Sequence, residues 1–379
     1  MQKRIRLISV GIVLIVLLIG IIVINNNSNS KYSFTQDGIK YALTLDGNKI
    51  TSFPSKGMYK AQVTCVGADG KWLYDEWKLA IENITSDDVT CDINFSTITK
   101  TSLNEYIISL AGTTQGTGQV VNENGYRYEG KNPNNYIWFN NEYWRIIGVF
   151  DSASHGVSGK NLVKIIRADV LDGLAWNKSN TNDWTASSLK SLLNGAYYNA
   201  QDGTNSGYCY GYSTTATANC DYTKRGIQAG YRGMIASVTW HLGGYLSTSA
   251  TTSAFYGYER GTTVYSGRPT STTGYIGLMY PSDYGYSVLS SSCARTTNLG
   301  SYNSANCAGQ SWLYGKGYEW TLTPDSSNSR FVFRLDSNGY LNNSSAYNGY
   351  GSRPVLYLDA SVYKIDGDGS LNNPYIVGM

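Results

Sequence analysis

Few residues in this chain combine the chemistry and the spacing of a reaction centre. Only two histidines occur, His155 and His241, and neither lies in an H-E-x-x-H arrangement. Both read as ordinary packing histidines. No G-x-S-x-G string raises a serine nucleophile, and no P-loop or G-x-G-x-x-G fingerprint offers a phosphate cradle. Carboxylates are scattered, and a glycosidase pair is defined by spatial rather than sequence separation. Asp366-Gly367-Asp368-Gly369-Ser370 opens like a calcium loop, but the position that needs a glutamate holds Val377, so a plain turn is expected. The sequence therefore supplies no catalytic set, no metal site and no cofactor.

Six cysteines are the clearest chemical feature: Cys65, Cys91, Cys209, Cys220, Cys293 and Cys307. No C-x-x-C or Cys/His cluster points to zinc or thioredoxin-like chemistry. Of the pairings possible in principle, nearest neighbours are expected to join: Cys65–Cys91, Cys209–Cys220 and Cys293–Cys307. Such bonds belong to an oxidising compartment. The first residues agree with export. Lys3, Arg4 and Arg6 precede an uncharged apolar run from Leu7 to Ile24. This run is expected to be an uncleaved signal anchor, a transmembrane helix with Met1 in the cytoplasm and the bulk outside the cell. A cleaved signal peptide is the alternative, although its apolar region usually spans only about 7–15 residues.

Composition narrows the partner. The formal charge is +3, from 30 basic and 27 acidic residues, and the three basic residues before the apolar run match that excess. No phosphate-binding stripe is left for nucleic acid. Tyrosine is abundant, at 33 residues, beside much Ser, Asn, Gly and Thr. That mixture suits adaptable recognition, since tyrosine brings contact area and a hydroxyl at low entropic cost. The most unusual stretch is Asp325 to Ser352, where 15 of 28 residues are Asn, Ser or Tyr.

The elements that would position these residues follow from periodicity. Short alternating runs at 41–45, 59–63, 77–81 and 91–95, separated by turn signals, predict a small antiparallel Ig-like β-sandwich over residues 31–100. Residues 101–131 read as a linker with a short helix at 103–110. From residue 132 a larger α+β domain is expected to run to 379. It opens with a hairpin, Tyr136–Phe139 and Glu142–Ile147 around Asn140-Asn141. Helices are expected at 185–193 and 227–242, and strands at 162–166, 276–280, 318–322, 331–335, 339–341 and 355–358.

Several strings carry a resemblance. Asn132-Pro133-Asn134-Asn135-Tyr136, Trp144-Arg145-Ile146-Ile147-Gly148, Asn182-Asp183-Trp184, Ile276 to Tyr286, Trp320 to Pro324 and Arg353 to Leu358 resemble a group of bacterial surface proteins of Firmicutes type. Their domain is similar to the C-type-lectin-like fold of formylglycine-generating enzymes. The resemblance implies that fold for residues 132–379, with Ser352-Arg353-Pro354 standing where the fold carries Gly-Phe-Arg. It does not imply either relative's chemistry. The enzymes use a reactive cysteine pair near the end of the domain, and here the last cysteine is Cys307. Calcium-dependent lectins use Trp-Asn-Asp, whereas Asn182-Asp183-Trp184 reverses that order. Some proteins of this fold are variable proteins of diversity-generating retroelements, with hypervariable Asn, Tyr, Ser, Asp, Phe and Arg positions just before the end of the domain. The resemblance thus implies a variable binding face at Arg330, Phe331, Phe333, Arg334, Asp336, Asn338, Tyr340, Asn342, Asn343, Ser344, Tyr347, Asn348 and Tyr350. The function expected is a cell-surface receptor or adhesin for a surface protein or glycan. A glycan-acting envelope enzyme and a purely structural surface protein are the alternatives.

Overall fold

The computed structural model describes residues 23–24, 31–74, 76–216 and 219–379. The apolar run expected to span a membrane lies outside these residues except for its end, Val23–Ile24, which forms a two-residue strand beside Phe34 and Thr35. Among the described residues no helix is long and apolar enough to cross a membrane. The chain divides into two compact units, Met1–Lys100 and Thr101–Met379.

The first unit is built on a six-stranded sheet and a separate two-stranded hairpin, Asp69–Leu73 with Lys78–Glu82. Alternation sets its faces. In Thr90–Thr97 the side chains of Cys91, Ile93 and Phe95 are buried, while their neighbours are half-buried or exposed. Tyr59–Val66 lies antiparallel to this strand and places Cys65 directly opposite Cys91. The sheet departs from the purely antiparallel expectation on the other side, where Ile39–Leu45 runs parallel to Thr90–Thr97. Phe53, Trp72 and Phe95 fill the core with tilted and edge-on ring contacts at 5.0–6.4 Å.

The second unit corrects the α+β expectation, including its lectin-like form. Strands make up 39% of the structure and helices 14%, so the protein is mostly β, with several sheets. The helices are short. Thr252–Glu259, the longest α-helix described, has 8 residues. A ten-stranded sheet forms the frame, with Val355–Leu358, Leu162–Arg167, Glu142–Phe150 and Tyr136–Phe139 at its centre. Leu162–Arg167 is buried over nearly its whole length, as a central strand covered on both faces requires. The Asn140-Asn141 hairpin is present, and both residues adopt positive φ, 58° and 59°.

Residues 101–131, expected as a linker, are integral to this unit. Leu103–Ser109 is a helix whose Leu103 and Ile107 are fully buried, and Thr117–Asn122 pairs with Tyr126–Asn132 as a hairpin. The helix expected at 227–242 is absent. Only Ala229–Arg232 is helical, and Val238–His241 is a strand paired with Ser271–Gly274. The burial of Val238, Trp240 and Leu242 shows a period of two, which outweighs the helical spacing. The Thr185–Leu193 helix is present in segments: a 3₁₀ turn at Trp184–Ala186, an α-turn at Ser188–Leu192 capped by Ser187, and a π-turn at Leu193–Tyr197 that carries the chain past Gly195.

All six cysteines are paired as expected, Cys65–Cys91, Cys209–Cys220 and Cys293–Cys307. These bonds fit an extracellular or secreted protein.

Candidate binding face

A five-stranded sheet in the second unit carries the Tyr/Asn/Ser-rich segment. Its strands lie in the order Leu171–Ala175, Gly349–Ser352, Glu319–Pro324, Phe331–Leu335, Leu341–Ser345. Register assigns the side chains to faces, because residues directly opposed in an antiparallel pair point the same way and alternate along each strand. Trp320 opposes Arg334, Arg334 opposes Asn342, and Val332 opposes Ser344. These residues share one face. Phe333, Leu335, Leu341 and Asn343 share the other.

The second face belongs to the core. Phe333 is fully buried and meets Phe255 edge-on at 5.3 Å. Leu335 and Leu341 are buried beside it, and Asn343 donates its amide to Asp325 at 2.8 Å. The first face is the outer one and is only partly open: Trp320, Val332 and Arg334 are buried there, and Asn342, Ser344 and Tyr350 are half-buried. Its floor is Trp320, whose ring nitrogen donates to the Leu174 carbonyl. Tyr350 packs on Trp320 at 4.8 Å and on Tyr318 at 5.3 Å. The Arg334 guanidinium sits 4.6 Å from the Tyr318 ring and 5.0 Å from that of Tyr350. Asp336 holds it by an ion pair of 3.0 Å. Beside this stack the Tyr350 hydroxyl lies 3.1 Å from Ser344 Oγ, and Asn348 donates to both. Tyr318 is 45% exposed, so the stack opens to solvent at its rim.

The strand Tyr210–Tyr212 borders this face and approaches Gly349 so closely that a Cβ there would stand 2.0 Å from the Gly211 carbonyl oxygen, and only glycine fits. Tyr212, 53% exposed, meets Tyr347 edge-on at 5.1 Å.

The residues expected to line a binding face thus separate. Arg334, which is buried, and the half-buried Asn342, Ser344, Asn348 and Tyr350 come together on the outer face, with Tyr347 beside them. Phe333 is in the core, so contact with a ligand is not open to it. Asp336 is buried and serves Arg334 and the turn at Ser337 and Asn338. Phe331 and Asn343 belong to the inner face. Arg330 and Asn338 are exposed in turns away from the stack, and Tyr340 is half-buried in the turn that ends in Leu341. Sequence reasoning missed Tyr318 and Tyr212. Tyr318 had a legible signal, since it stands two residues before Trp320 in an alternating run; Tyr212 had none.

The other candidates resolve structurally. Nε2 of His155 lies 3.1 Å from the Phe150 carbonyl, and that of His241 3.1 Å from the Ala153 carbonyl. Asp366–Ser370 is a turn in which Gly367, at φ +84°, abuts the Pro374 carbonyl.

Comparison of the sequence with known protein families and curated proteins, and of the fold with solved structures, finds no match.

Proposed function

We propose that the protein is an extracytoplasmic ligand-binding protein, a receptor or adhesin, whose contact surface is the outer face of the five-stranded sheet. The observation that carries this reading is the Tyr318–Arg334–Tyr350 stack over Trp320, ringed by Asn342, Ser344 and Asn348. Large, rigid aromatic groups with amides and hydroxyls around them bind at small ordering cost. The inner face fixes them, because every strand beneath is anchored in the core. A surface protein or a surface glycan fits this chemistry, and nucleic acid does not, since the only cation in the stack is already paired with Asp336.

The test is binding of the purified protein to panels of immobilised glycans and surface proteins. Tyr318→Ala combined with Asn342→Ala is expected to weaken any binding found by about ten-fold or more. Both groups are partly exposed, so the melting temperature should move by no more than about 2 °C. Full binding by the double variant would remove this face from the reading.

A further inference from the structure

The most unusual chemistry in the second unit lies away from that face, beneath the helix Pro281–Ser287. Lys164, on the central strand Leu162–Arg167, places Nζ 2.5 Å from Oδ2 of Asp283. Both side chains are sealed off, at 0% and 1% exposure. Rings surround the amine: Tyr280 at 4.4 Å, Tyr357 at 5.6 Å, and Phe150 and Trp240 at 5.7 Å. The other carboxylate oxygen, Oδ1, accepts from Arg127 Nη1 at 3.0 Å. A further buried carboxyl, Glu259, accepts from the backbone and hydroxyl of Ser282, the residue before Asp283, and pairs with Arg260 at 3.3 Å. This is an amine held against a carboxyl in a dry, aromatic pocket, with a cation on the remaining oxygen and a second carboxyl nearby.

We propose that Lys164 and Asp283 condense to an intramolecular isopeptide bond between Nζ and Cγ. The step begins with proton transfer from Nζ to Oδ2 across their short hydrogen bond, which turns the ion pair into an amine and a carboxylic acid without an outside proton. Nζ then attacks Cγ, and Arg127 stabilises the charge that develops on Oδ1. A second proton passes from Nζ to Oδ2 across the same contact. The Cγ–Oδ2 bond breaks, and Oδ2 leaves as water with two protons that began on Nζ. The product is a neutral amide, and no oxidant or co-reactant is consumed.

Electrostatics favours this outcome. Burial pushes the Lys164 amine down to about 8, against the pull of Asp283. Burial likewise raises the neighbouring Glu259 carboxyl to about 7, although Arg260 opposes it. Burial also acts to raise Asp283, but Lys164 and Arg127 outweigh it and hold the carboxyl low. The reaction therefore draws on a minor neutral pair, which makes it slow and dependent on folding. Condensation removes two buried charges of opposite sign and leaves the net charge of the cluster unchanged. Arg127 keeps the amide oxygen, the Glu123 and Asn124 carbonyls, and the faces of Phe150 and Tyr286.

Intact mass spectrometry of the purified full chain decides the matter. The expected mass is lower than that of the chain with three disulfides by one water molecule. Digestion should release a branched peptide joining Lys164 to Asp283. Lys164→Arg should abolish the loss of water, leaving only the mass change of the substitution itself. A folded wild-type protein at the full disulfide-bonded mass, or a water lost at another pair, overturns the proposal.

Discussion

At the scale of single residues, His155 shows how burial and hydrogen bonding fix a protonation state. Its Nδ1 accepts from the Val157 backbone N–H at 3.1 Å, which puts the proton of the neutral ring on Nε2, where it donates to Phe150. A second proton would have to displace the Val157 donor. Burial, partly offset by the Phe150 carbonyl, lowers the pKa below the ordinary 6.5. The unfolded chain then binds more protons than the folded one between 6.5 and the lower folded value. Stability from this group is complete above about pH 6.5 and falls as pH drops through that window. His155→Gln, which keeps an acceptor and a donor, is expected to flatten the slope of unfolding free energy below about pH 6.5. Denaturant titrations at a series of pH values would show it, and an unaltered slope would mean that other groups set the acid limb. Tyrosine teaches a related lesson. Much of its abundance serves the interior, where Tyr128, Tyr197, Tyr280, Tyr284 and Tyr357 are fully buried. Tyrosine does the work of aliphatic residues in this core, so its number alone overstates how much of it is available for recognition.

At the scale of elements, legibility followed the strength of local signals. The 136–150 hairpin was readable because its turn needs positive φ, which Asn tolerates. Phe331–Leu335 and Val355–Leu358 were readable as compact apolar runs. Thr252–Glu259 was not, since the residues it buries are Thr252, Phe255 and Glu259, and only one is apolar. The candidate site was readable as a composition but not as a face. Inward or outward orientation depends on register with Glu319–Pro324, and Gly349–Ser352 lies between that strand and the distant Leu171–Ala175. No local pattern encodes such pairing. Register now gives a sharper expectation for natural variation. Sequencing this locus across sister isolates should find substitutions gathered at Asn342, Ser344, Tyr347, Asn348 and Tyr350. Phe333, Leu335, Leu341 and Ala346, all buried, should stay constant. Variation spread evenly over both sets would count against a diversified face.

At the scale of the whole molecule, the two units rest on different constructions. The first has a small aromatic core and a disulfide between directly opposed strand residues. The second has a large continuous core and two disulfides that close short segments. The second also brings its own beginning and end together. Tyr363 is flanked by Ser102 on one side and Gly378 on the other. Two strand spacings separate those neighbours, about 10 Å. A linker of about five residues spans that gap with slack. The order in which this unit's sequence is threaded is therefore a matter of history more than of physics. A circular permutant that joins residue 379 to 101 and opens in the exposed turn at 158–160 should melt cooperatively, close to the parent unit. Loss of that cooperative transition would show that the break at 158–160 or the new linker disturbs the frame. If the permutant folds, the unit is a closed circuit that can be entered at a surface turn, and its outer face can be presented from a scaffold attached elsewhere on its circumference.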